Sequence, residues 1–425
     1  MFDIMPEQAT DAPAAQIQVA AESLAEVERL ITEDQLEEAR ARLTSMAMTG
    51  TFDNQVQFLL ALLDIGSKRY GNAVDRLRQI LIREPGTARV RLELGRALFL
   101  DGKYAAAERQ FRLARAGQLP ETVQQNVDRY LGAIRQRKRL TMELAFALAP
   151  DSNVNAGPAS DAVTIYGLPF QLSDDAKASS GIGATADGAI EWAPPISSRT
   201  SLRLGGQAHH TQYGNERFND STVAAFAGTR VNGTRWTYEL TGTLIQRWYG
   251  GRPYSRTGGG AFSASYVVNR KTELNGSVGA YSVTYPNLAD LDGRQTVISA
   301  GVARALSPRS VVRATVGINW QTARIKPLAN HRQTFAVEWF SDFPGGMTLA
   351  IAPSLTRIGY EAPLAAFGTT RTDWQTSVQT RVQSRRIDVM GFTPRLGYIY
   401  THNASTIPLY RFTRNRFELG IVRTF

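Results

Sequence analysis

The sequence predicts an α+β multidomain protein, in which an N-terminal all-α helical repeat domain precedes a 14-stranded antiparallel transmembrane β-barrel. Residues before about 140 are rich in Ala, Leu, Glu and Arg, whereas later residues are rich in Gly, Thr, Ser, Tyr and Val, which favour strands and turns. The early part resembles itself at a spacing of 34 residues, and the late part alternates apolar and polar residues. We expect a disordered lead-in over residues 1–16, a helical domain over 17–139 and a barrel over 140–425.

The helical part has the repeat length of tetratricopeptide proteins, in which each repeat is a pair of packed helices. Small residues let the paired helices approach each other, and stacked pairs bury a shared core and leave a concave groove. The residues that define the repeat are Tyr70, Ala73, Gly95, Tyr104, Ala107 and Phe111. We therefore predict a tetratricopeptide solenoid whose groove binds an extended peptide or a partner helix.

The second part contains fourteen segments that alternate apolar and polar residues between turn signals, and an even number is what a one-chain bacterial barrel requires. In the fifth segment, for example, Trp236, Tyr238 and Leu240 alternate with Thr237 and Glu239. The predicted strands are residues 140–149, 179–192, 199–212, 219–231, 234–249, 259–269, 272–285, 294–306, 310–323, 332–342, 347–359, 371–383, 386–401 and 408–425.

The connections between these segments alternate in length, as they do in outer-membrane barrels with short periplasmic turns and longer outer loops. Tight turns are predicted at residues 231–234, 269–271, 307–309, 343–346 and 383–385. Longer loops are predicted at residues 150–178, 213–218, 250–258, 286–293, 324–331, 360–370 and 402–407. Both ends of the barrel then lie on the short-turn side, so we expect the helical domain to be periplasmic.

The last strand places apolar residues on one face and ends the chain on an aromatic residue, as the closing strand of an outer-membrane barrel does. The residues assigned to closure and assembly are Phe417, Leu419, Ile421 and Phe425. On the opposite faces of the strands we expect a lumen of mixed charge, which suits a polar path or a salt-bridged plug. The predicted luminal residues are Glu143, Arg203, Glu239, Arg247, Arg313, Glu338, Asp373, Arg381, Arg416 and Glu418.

Composition narrows the class of protein further. The chain has no cysteine, which excludes disulfides and thiol chemistry, and it has no apolar window of about twenty residues that would form a transmembrane helix. The net charge of +10 is carried almost entirely after residue 140, by arginines scattered singly, so we expect no nucleic-acid partner. The first residues lack the basic and apolar segments of a signal peptide, and we expect a trimmed or misassigned start.

The sequence contains no recognisable catalytic or metal-binding motif. Its four histidines are scattered, and the neighbours His209 and His210 point to opposite faces of a strand, so they cannot serve one site. The run Gly258 to Gly260 opens a strand rather than a helix, which argues against a phosphate-binding loop. We expect no enzyme and no cofactor, with a barrel enzyme as the least favoured alternative.

At the junction of the two parts, the segment Pro150-Asp151-Ser152-Asn153-Val154-Asn155 follows the first predicted strand. Together with the preceding repeats and a barrel that ends on Phe425, this segment resembles the surface lipoprotein assembly modifier family over about residues 50–425. The resemblance makes Pro150, Asp151, Ser152, Asn153 and Asn155 the signature loop. By their chemistry alone, Asp151, Ser152 and Asn153 are simply turn formers, and we favour that interpretation of their role.

The resemblance implies an outer-membrane protein whose periplasmic helical domain receives client proteins, often surface lipoproteins, and whose barrel passes them outward. The partners implied are outer-membrane lipid, a client surface protein or lipoprotein, and the barrel assembly machinery. The alternative is a tetratricopeptide-plus-barrel exporter of polysaccharide, or a porin. That alternative predicts ordered aromatic side chains and charged bands along the lumen.

Overall fold

In a computed structural model, the structure describes residues 26–27, 29–30, 33, 35–49, 53–115, 117, 119–137, 139–158, 160–174, 176–384 and 386–425. The expected lead-in over residues 1–16 lies outside the described residues. The chain forms two compact units, which divide between Ala114 and Arg115. The division falls earlier than the composition change at residue 140, so the last helix before the barrel belongs to the second unit.

The first unit is helical, and its helices are joined by short turns. The described helices are α1 (Leu36–Thr49), α2 (Asp53–Gly66), α3 (Tyr70–Arg83), α4 (Ala88–Leu100) and α5 (Tyr104–Arg115), and α6 (Glu121–Arg137) precedes the barrel. A fully buried carboxylate, Asp64 of α2, accepts a hydrogen bond from Arg40 of α1 at 2.8 Å and from Arg76 of α3 at 3.1 Å. This pairing ties three successive helices together around an apolar core.

The residues that define the repeat occupy equivalent places in successive helix pairs. Ala73 and Ala107 are fully buried, and Phe111 is 1% exposed. A side chain added at Gly95 would meet the ring of Phe111 at 3.0 Å, so glycine is what allows α4 and α5 to pack closely. Tyr70 and Tyr104 begin α3 and α5, and both are half-buried. The small residues Ala73, Gly95 and Ala107 thus allow the close helix packing that the 34-residue pattern predicts.

The second unit contains a closed barrel of fourteen strands within the described residues, so the predicted fold class and strand number are confirmed. A separate hairpin of two short strands, β2 (Ala162–Ile165) and β3 (Leu168–Gln171), follows β1. The barrel strands are β1 (Leu140–Asp151), β4 (Gly181–Trp192), β5 (Thr200–Tyr213), β6 (Asp220–Asn232), β7 (Trp236–Tyr249), β8 (Arg252–Asn269), β9 (Thr272–Thr284), β10 (Gly293–Ser307), β11 (Ser310–Gln321), β12 (Asn330–Phe343), β13 (Met347–Leu364), β14 (Thr369–Ser384), β15 (Thr393–Ser405) and β16 (Phe412–Thr424).

Each barrel strand pairs with the next barrel strand along the chain, and β1 also pairs with β16 to close the barrel. Three connections differ from the prediction. The expected loop over residues 360–370 is only a turn over residues 365–368, because β13 continues to Leu364 and β14 begins at Thr369. The expected loop over residues 250–258 is wrong, because Gly250 and Gly251 adopt positive φ and turn the chain within two residues. The expected tight turn at 383–385 is also wrong, because β14 continues to Ser384 and β15 begins only at Thr393.

The ends of the barrel can be assigned from these connections. Residues 152–180 separate β1 from β4, and this longest connection lies at the same end as the loops before β6, β10, β12 and β16. The opposite end has mostly short turns and carries the start of β1 and the end of β16. Since outer-membrane barrels have short periplasmic turns, that end is the periplasmic one and the other is the outer end.

The hairpin β2–β3 within the first outer loop was not predicted. Tyr166 and Gly167 both have positive φ, as the two central residues of a type I′ turn require. The backbone N–H of Tyr166 donates to the carbonyl of Ala366, in the connection between β13 and β14, at 2.7 Å. The first outer loop therefore reaches from β1 to the loop between β13 and β14.

Candidate transport path and barrel seam

The strand register identifies the luminal face of the barrel. Opposed residues in an antiparallel ladder share a face, and on β1 the buried Ala145 and Ala147 alternate with the exposed Phe146 and Leu148. Ala145 is luminal, so the residue opposed to it on each neighbouring strand is luminal too. Repeating this step from strand to strand around the barrel identifies the luminal side chains of every strand. This face holds the residues predicted for the lumen: Glu143, Arg203, Glu239, Arg247, Arg313, Glu338, Asp373, Arg381, Arg416 and Glu418.

A network of four charged side chains lies near the periplasmic ends of β4 to β7. Arg203 donates to Glu191 at 3.0 Å and 2.6 Å and to Glu239 at 2.5 Å. Arg230 donates to the second oxygen of Glu239 at 2.5 Å and lies 3.4 Å from Glu191. Glu191 and Arg230 are not among the predicted luminal residues, although the alternation of their strands places both on the luminal face.

Further luminal charges are arranged in smaller groups. Arg313 donates to Glu338 at 2.8 Å, and Arg381 lies 3.7 Å from the other oxygen of the same carboxylate. Arg416 lies 3.3 Å from Glu418 on β16. The three remaining predicted residues lie apart from these groups. Glu143 is exposed near the periplasmic end of β1. Arg247 donates to Asp220, and the buried Asp373 accepts from Arg371. The luminal face is thus polar and carries both signs of charge.

A cluster of tyrosines surrounds Arg247 toward the outer end of the lumen. The ring of Tyr254 contacts Tyr285 edge to face at 5.6 Å and lies 6.2 Å from the ring of Tyr249. The guanidinium of Arg247 lies 5.0 Å from the ring centre of Tyr254, and its Nε and Nη2 donate to Asp220 at 2.9 Å and 2.5 Å. Tyr249, Tyr254, Arg247 and part of the signature loop line a cavity of about 330 Å³.

The signature loop joins the first strand of the barrel to the last. The carboxylate of Asp151, whose side chain is 0% exposed, accepts from Arg414: the Nε–H is shared between both oxygens, at 3.0 Å and 2.9 Å, and Nη2 donates to one of them at 2.5 Å. The hydroxyl of Tyr213 donates to the same carboxylate at 3.4 Å. This buried ion pair connects residues on β1 and β16 that are 263 positions apart in the sequence.

The next two residues of the loop add bonds to β16. The backbone N–H of Ser152 donates to the carbonyl of Asn415 at 2.9 Å, and the N–H of Asn415 donates to Oγ of Ser152 at 2.8 Å. The amide of Asn153 donates to the carbonyl of Thr413 at 3.2 Å. We call these six residues the outer clasp: Asp151, Ser152, Asn153, Thr413, Arg414 and Asn415.

The rest of the signature loop holds its own backbone in place. Asn153 bonds both the N–H and the carbonyl of Gly157, and Asn155 donates to the carbonyl of Lys177 at 2.7 Å and accepts from the N–H of Ser179 at 3.1 Å. Asp151 also accepts from the N–H of Asn153 at 3.0 Å, which is the local bond of a turn former. The loop therefore forms a turn, and the same side chains bridge the barrel seam.

The closing strand presents apolar residues to lipid. Phe417, Leu419, Ile421 and Phe425 lie on the face opposite the lumen and are 42–61% exposed. Arg423 lies on the same face at the periplasmic end, where it donates to the carbonyl of Met390 at 2.7 Å and lies over the ring of Phe425 at 4.1 Å. An aliphatic stem in lipid with a polar end at the interface is the usual placement of such an arginine.

Among the described residues, no cluster of three or more His, Asp or Glu side chains could hold a metal ion. His209 contacts Asp187 at 2.6 Å, and His402 contacts Thr413 at 3.0 Å. His210 contacts Ser221 at 2.8 Å. These three histidines thus bond to separate luminal or lipid-side neighbours and do not meet in one site.

A closed barrel with apolar residues toward lipid and charged residues toward the lumen defines an outer-membrane β-barrel protein. The model of a family described as surface lipoprotein assembly modifier matches residues 141–425, which span the barrel. The chain belongs to this family, as the signature loop and the repeats indicated.

Individual relatives extend the similarity into the helical part. The surface lipoprotein assembly modifier of Moraxella catarrhalis is 27% identical over 86% of this chain and 72% of that protein. Surface lipoprotein assembly modifier 1 of Haemophilus influenzae is 21% identical over 85% of this chain and 76% of that protein. Among solved structures, the outer membrane channel DcaP of Acinetobacter baumannii covers 67% of this chain and 96% of its own, with 9% identity and a TM-score of 0.42.

The fold and family place the barrel in the outer membrane and the helical region in the periplasm, as predicted. Within the part of the chain that the structure describes, no helix is both long and apolar enough to cross a membrane. The family that matches the barrel is described as a modifier of surface lipoprotein assembly.

Proposed function

We propose that the protein receives client lipoproteins on its periplasmic helical region and passes them across the outer membrane through its barrel. The observation that carries this proposal is the family match, which spans residues 141–425 and therefore the whole barrel. The polar luminal face supports it, because a polypeptide in transit needs hydrogen-bonding partners where water is restricted. The family relatives are named for the assembly of surface lipoproteins, and we extend that role to this chain.

A surface for the client is available on two helices of the first unit, α2 and α4, which contact each other. Side chains three and four residues apart share one side of a helix. Phe58 and Leu62 of α2, with Leu92 of α4, are only half-buried. The guanidinium of Arg89 lies 5.0 Å over the ring of Phe58, so the apolar surface has a basic border. We assign this surface, called the helical face below, to the docking of an extended client segment.

The proposal is tested by deleting the gene and measuring all surface-exposed lipoproteins by protease shaving of intact cells and mass spectrometry. We expect at least one lipoprotein to remain cell-associated but become protected from protease, and expression of the wild-type protein to restore its exposure. If deletion leaves every lipoprotein exposed as before, the proposed function is wrong.

The docking step is tested by Phe58→Glu, which places a charge in the helical face. The matched control is Gln79→Glu, which adds the same charge at an exposed position of α3. We expect Phe58→Glu to reduce surface exposure of the client and Gln79→Glu to leave it unchanged, with equal amounts of folded barrel. Equal exposure in both strains would remove the helical face from the proposal.

The tyrosine cluster around Arg247 favours a second candidate, a barrel that passes polysaccharide or small solutes. Ordered aromatic rings beside charged groups are the luminal pattern expected of that class. The same deletion separates the two candidates, because loss of extracellular polysaccharide with unchanged lipoprotein exposure would support the second. The interaction of the barrel with the barrel assembly machinery and with outer-membrane lipid stays a prediction.

A further inference from the structure

We infer that the seam between β1 and β16 opens toward the membrane at its outer half and lets the acyl chains of a client pass into the outer leaflet. This inference rests on the proposed function. A lipoprotein carries acyl chains, and each CH₂ group favours an apolar environment over water by about 0.8 kcal/mol. The luminal face is charged, so acyl chains inside it lack apolar surroundings. A lateral opening gives them a path in which they remain in lipid.

The backbone pairing of the seam is the shortest in the described barrel. Within the described residues, seven opposed residue pairs join β1 to β16, whereas the other ladders have ten to fifteen. The pairs run without a break from Glu143 to Leu148, and the next pair is Asp151 with Arg416. The ladder is therefore interrupted opposite Phe417 and Glu418, in the outer half of the barrel.

Pro150 lies in this interruption. Proline has no backbone N–H, so it cannot donate to a neighbouring strand, and within sheets it is confined to edges and irregular positions. On its other side, Pro150 remains in register with Ile182 of β4. The pairing is thus interrupted only toward β16. This is what a lateral opening requires, because β1 must separate from β16 while it stays paired with β4.

A second ladder with a proline shows that the residue alone does not make a seam. Between β12 and β13 the pairing is interrupted at Pro353, from Ala336 with Ser354 to Trp339 with Ile351. Long paired stretches flank that gap on both sides, down to Phe343 and up to Asn330. In the seam, by contrast, only Asp151 with Arg416 remains beyond the gap.

Beyond the gap, the backbone joins the strands only through the pair of Asp151 with Arg416 and the bond from the N–H of Ser152 to the carbonyl of Asn415, and side chains add the remaining bonds. The outer clasp joins the strands through the buried pair of Asp151 with Arg414 and through Ser152 and Asn153. Side-chain bonds can be exchanged for bonds to another polar chain, whereas ladder bonds open only together. The clasp is thus suited to release when a polar client segment offers the same groups from the lumen.

The two surfaces of the seam suit an acyl path. On the lipid side, Leu148, Phe417 and Leu419 are 56%, 56% and 61% exposed. On the luminal side, β1 contributes Ala145 and Ala147, and β16 contributes Gly420, whose missing side chain would overlap Ala147. These small luminal residues lie just below the gap, whereas at the gap the luminal residues are Ala149 on β1 and Glu418 on β16, and Glu418 lies 3.3 Å from Arg416. Acyl chains leaving the lumen would meet apolar residues as soon as the strands part.

The test is a reversible lock across the seam. Leu148 and Leu419 are the last opposed pair before the gap, and opposed residues in an antiparallel ladder lie close enough for a disulfide. Because the chain has no cysteine, Leu148→Cys with Leu419→Cys introduces the only two thiols. The readout is surface exposure of the lipoproteins that depend on the wild-type gene. We expect exposure at the deletion level when the pair is oxidised, and at the wild-type level after a reductant is added.

The matched control is Val278→Cys with Ile298→Cys, an opposed, lipid-facing pair between β9 and β10 with similar exposure. We expect the oxidised control to export normally. If the oxidised seam lock exports as well as the control, the lateral exit is wrong, while the proposed function survives. If no lipoprotein depends on the gene at all, the proposed function fails first.

A second measurement does not depend on disulfide formation. A photo-crosslinking amino acid replaces Phe417 at the gap, or Phe335 as a lipid-facing control on β12 with comparable exposure. Cells are fed an alkyne-tagged palmitate, and crosslinked products are examined for tagged lipoprotein. We expect a lipoprotein adduct at position 417 and only phospholipid adducts at 335. Equal lipoprotein capture at both positions, or capture at 335 alone, would overturn the inference.

Discussion

The β1–β16 seam and the β9–β10 ladder close the same barrel in different ways. Between β9 and β10 the opposed pairs run unbroken from Gly293 with Val283 to Arg304 with Thr272, and a hydroxyl pair, Ser277 with Ser299, adds a bond of 2.8 Å. In the seam the unbroken ladder ends at Leu148, only the pair of Asp151 with Arg416 lies beyond the gap, and polar side chains of the outer clasp continue the closure. Most of the barrel is therefore held by its backbone, and the outer seam is held by a few residues that mutation can remove.

The largest effect is expected from Asp151→Ala. Removing one partner of a buried ion pair costs about 3–5 kcal/mol, because the other charge stays buried without its partner. We expect the variant to lose its compact migration in detergent at a clearly lower temperature than the wild type. The control is Asp220→Ala, which removes the partner of Arg247 from a more exposed luminal pair and should cost less. An equal drop in temperature for the two variants would mean that the pair of Asp151 with Arg414 stabilises the barrel no more than the pair of Asp220 with Arg247.

Asn153→Ala should have the next largest effect. The side chain is buried and bonds both β16 and Gly157, and leaving such partners unsatisfied costs about 1–3 kcal/mol. The comparison is Asn155→Ala, whose bonds stay within the outer loop. In the double variant Asp151→Ala with Asn153→Ala, the drop in unfolding temperature should be smaller than the sum of the two single drops, since both residues act on one clasp. Full additivity would show that the two residues act independently.

Gly420→Ala tests how tightly the lower seam is packed. An added Cβ would overlap the carbonyl of Phe146 and the side chain of Ala147, and overpacking costs about 1–3 kcal/mol. Gly317→Ala is the luminal control on β11, where a Cβ has its nearest neighbour at 3.8 Å. We expect a lower unfolding temperature for Gly420→Ala only. A neutral Gly420→Ala would mean that the seam already yields in the resting protein.

The smallest effect is expected in the β9–β10 ladder. Ser277→Ala removes one side of a hydroxyl pair and should cost about 0.5–1.5 kcal/mol, because the backbone bonds remain. The unfolding temperature of Ser277→Ala should fall less than that of any clasp variant. A larger loss than in Asn153→Ala would reverse the proposed ranking of the two regions.

The sequence was sufficient for the fold because alternation along a strand is a local property. All fourteen barrel strands were predicted, and the luminal side of residues such as Arg203 and Glu239 follows from the same period of two. The two-glycine turn at Gly250 and Gly251 was missed because the glycine-rich segment that follows it resembled a loop. The hairpin around Tyr166 was missed because its two strands are only four residues long.

The outer clasp could not be derived from the sequence alone. Asp151 and Arg414 are 263 positions apart, and the local chemistry of the signature loop predicts a turn, which is also present. One signal was available: Pro150 at the end of a strand marks an edge or an interruption. Combined with the polar face of the last strand, which carries Arg414, that signal directs attention to the closure between β1 and β16.

The most direct test of side-chain closure is amide hydrogen exchange of the purified barrel, compared between the wild type and Asp151→Ala. We predict faster exchange at Phe417 to Leu419 in the variant, with unchanged protection at Ser277 and Ser299, because only the seam depends on the clasp. Unchanged protection at Phe417 to Leu419 would contradict the account, since it would show that the backbone holds the outer seam without Asp151.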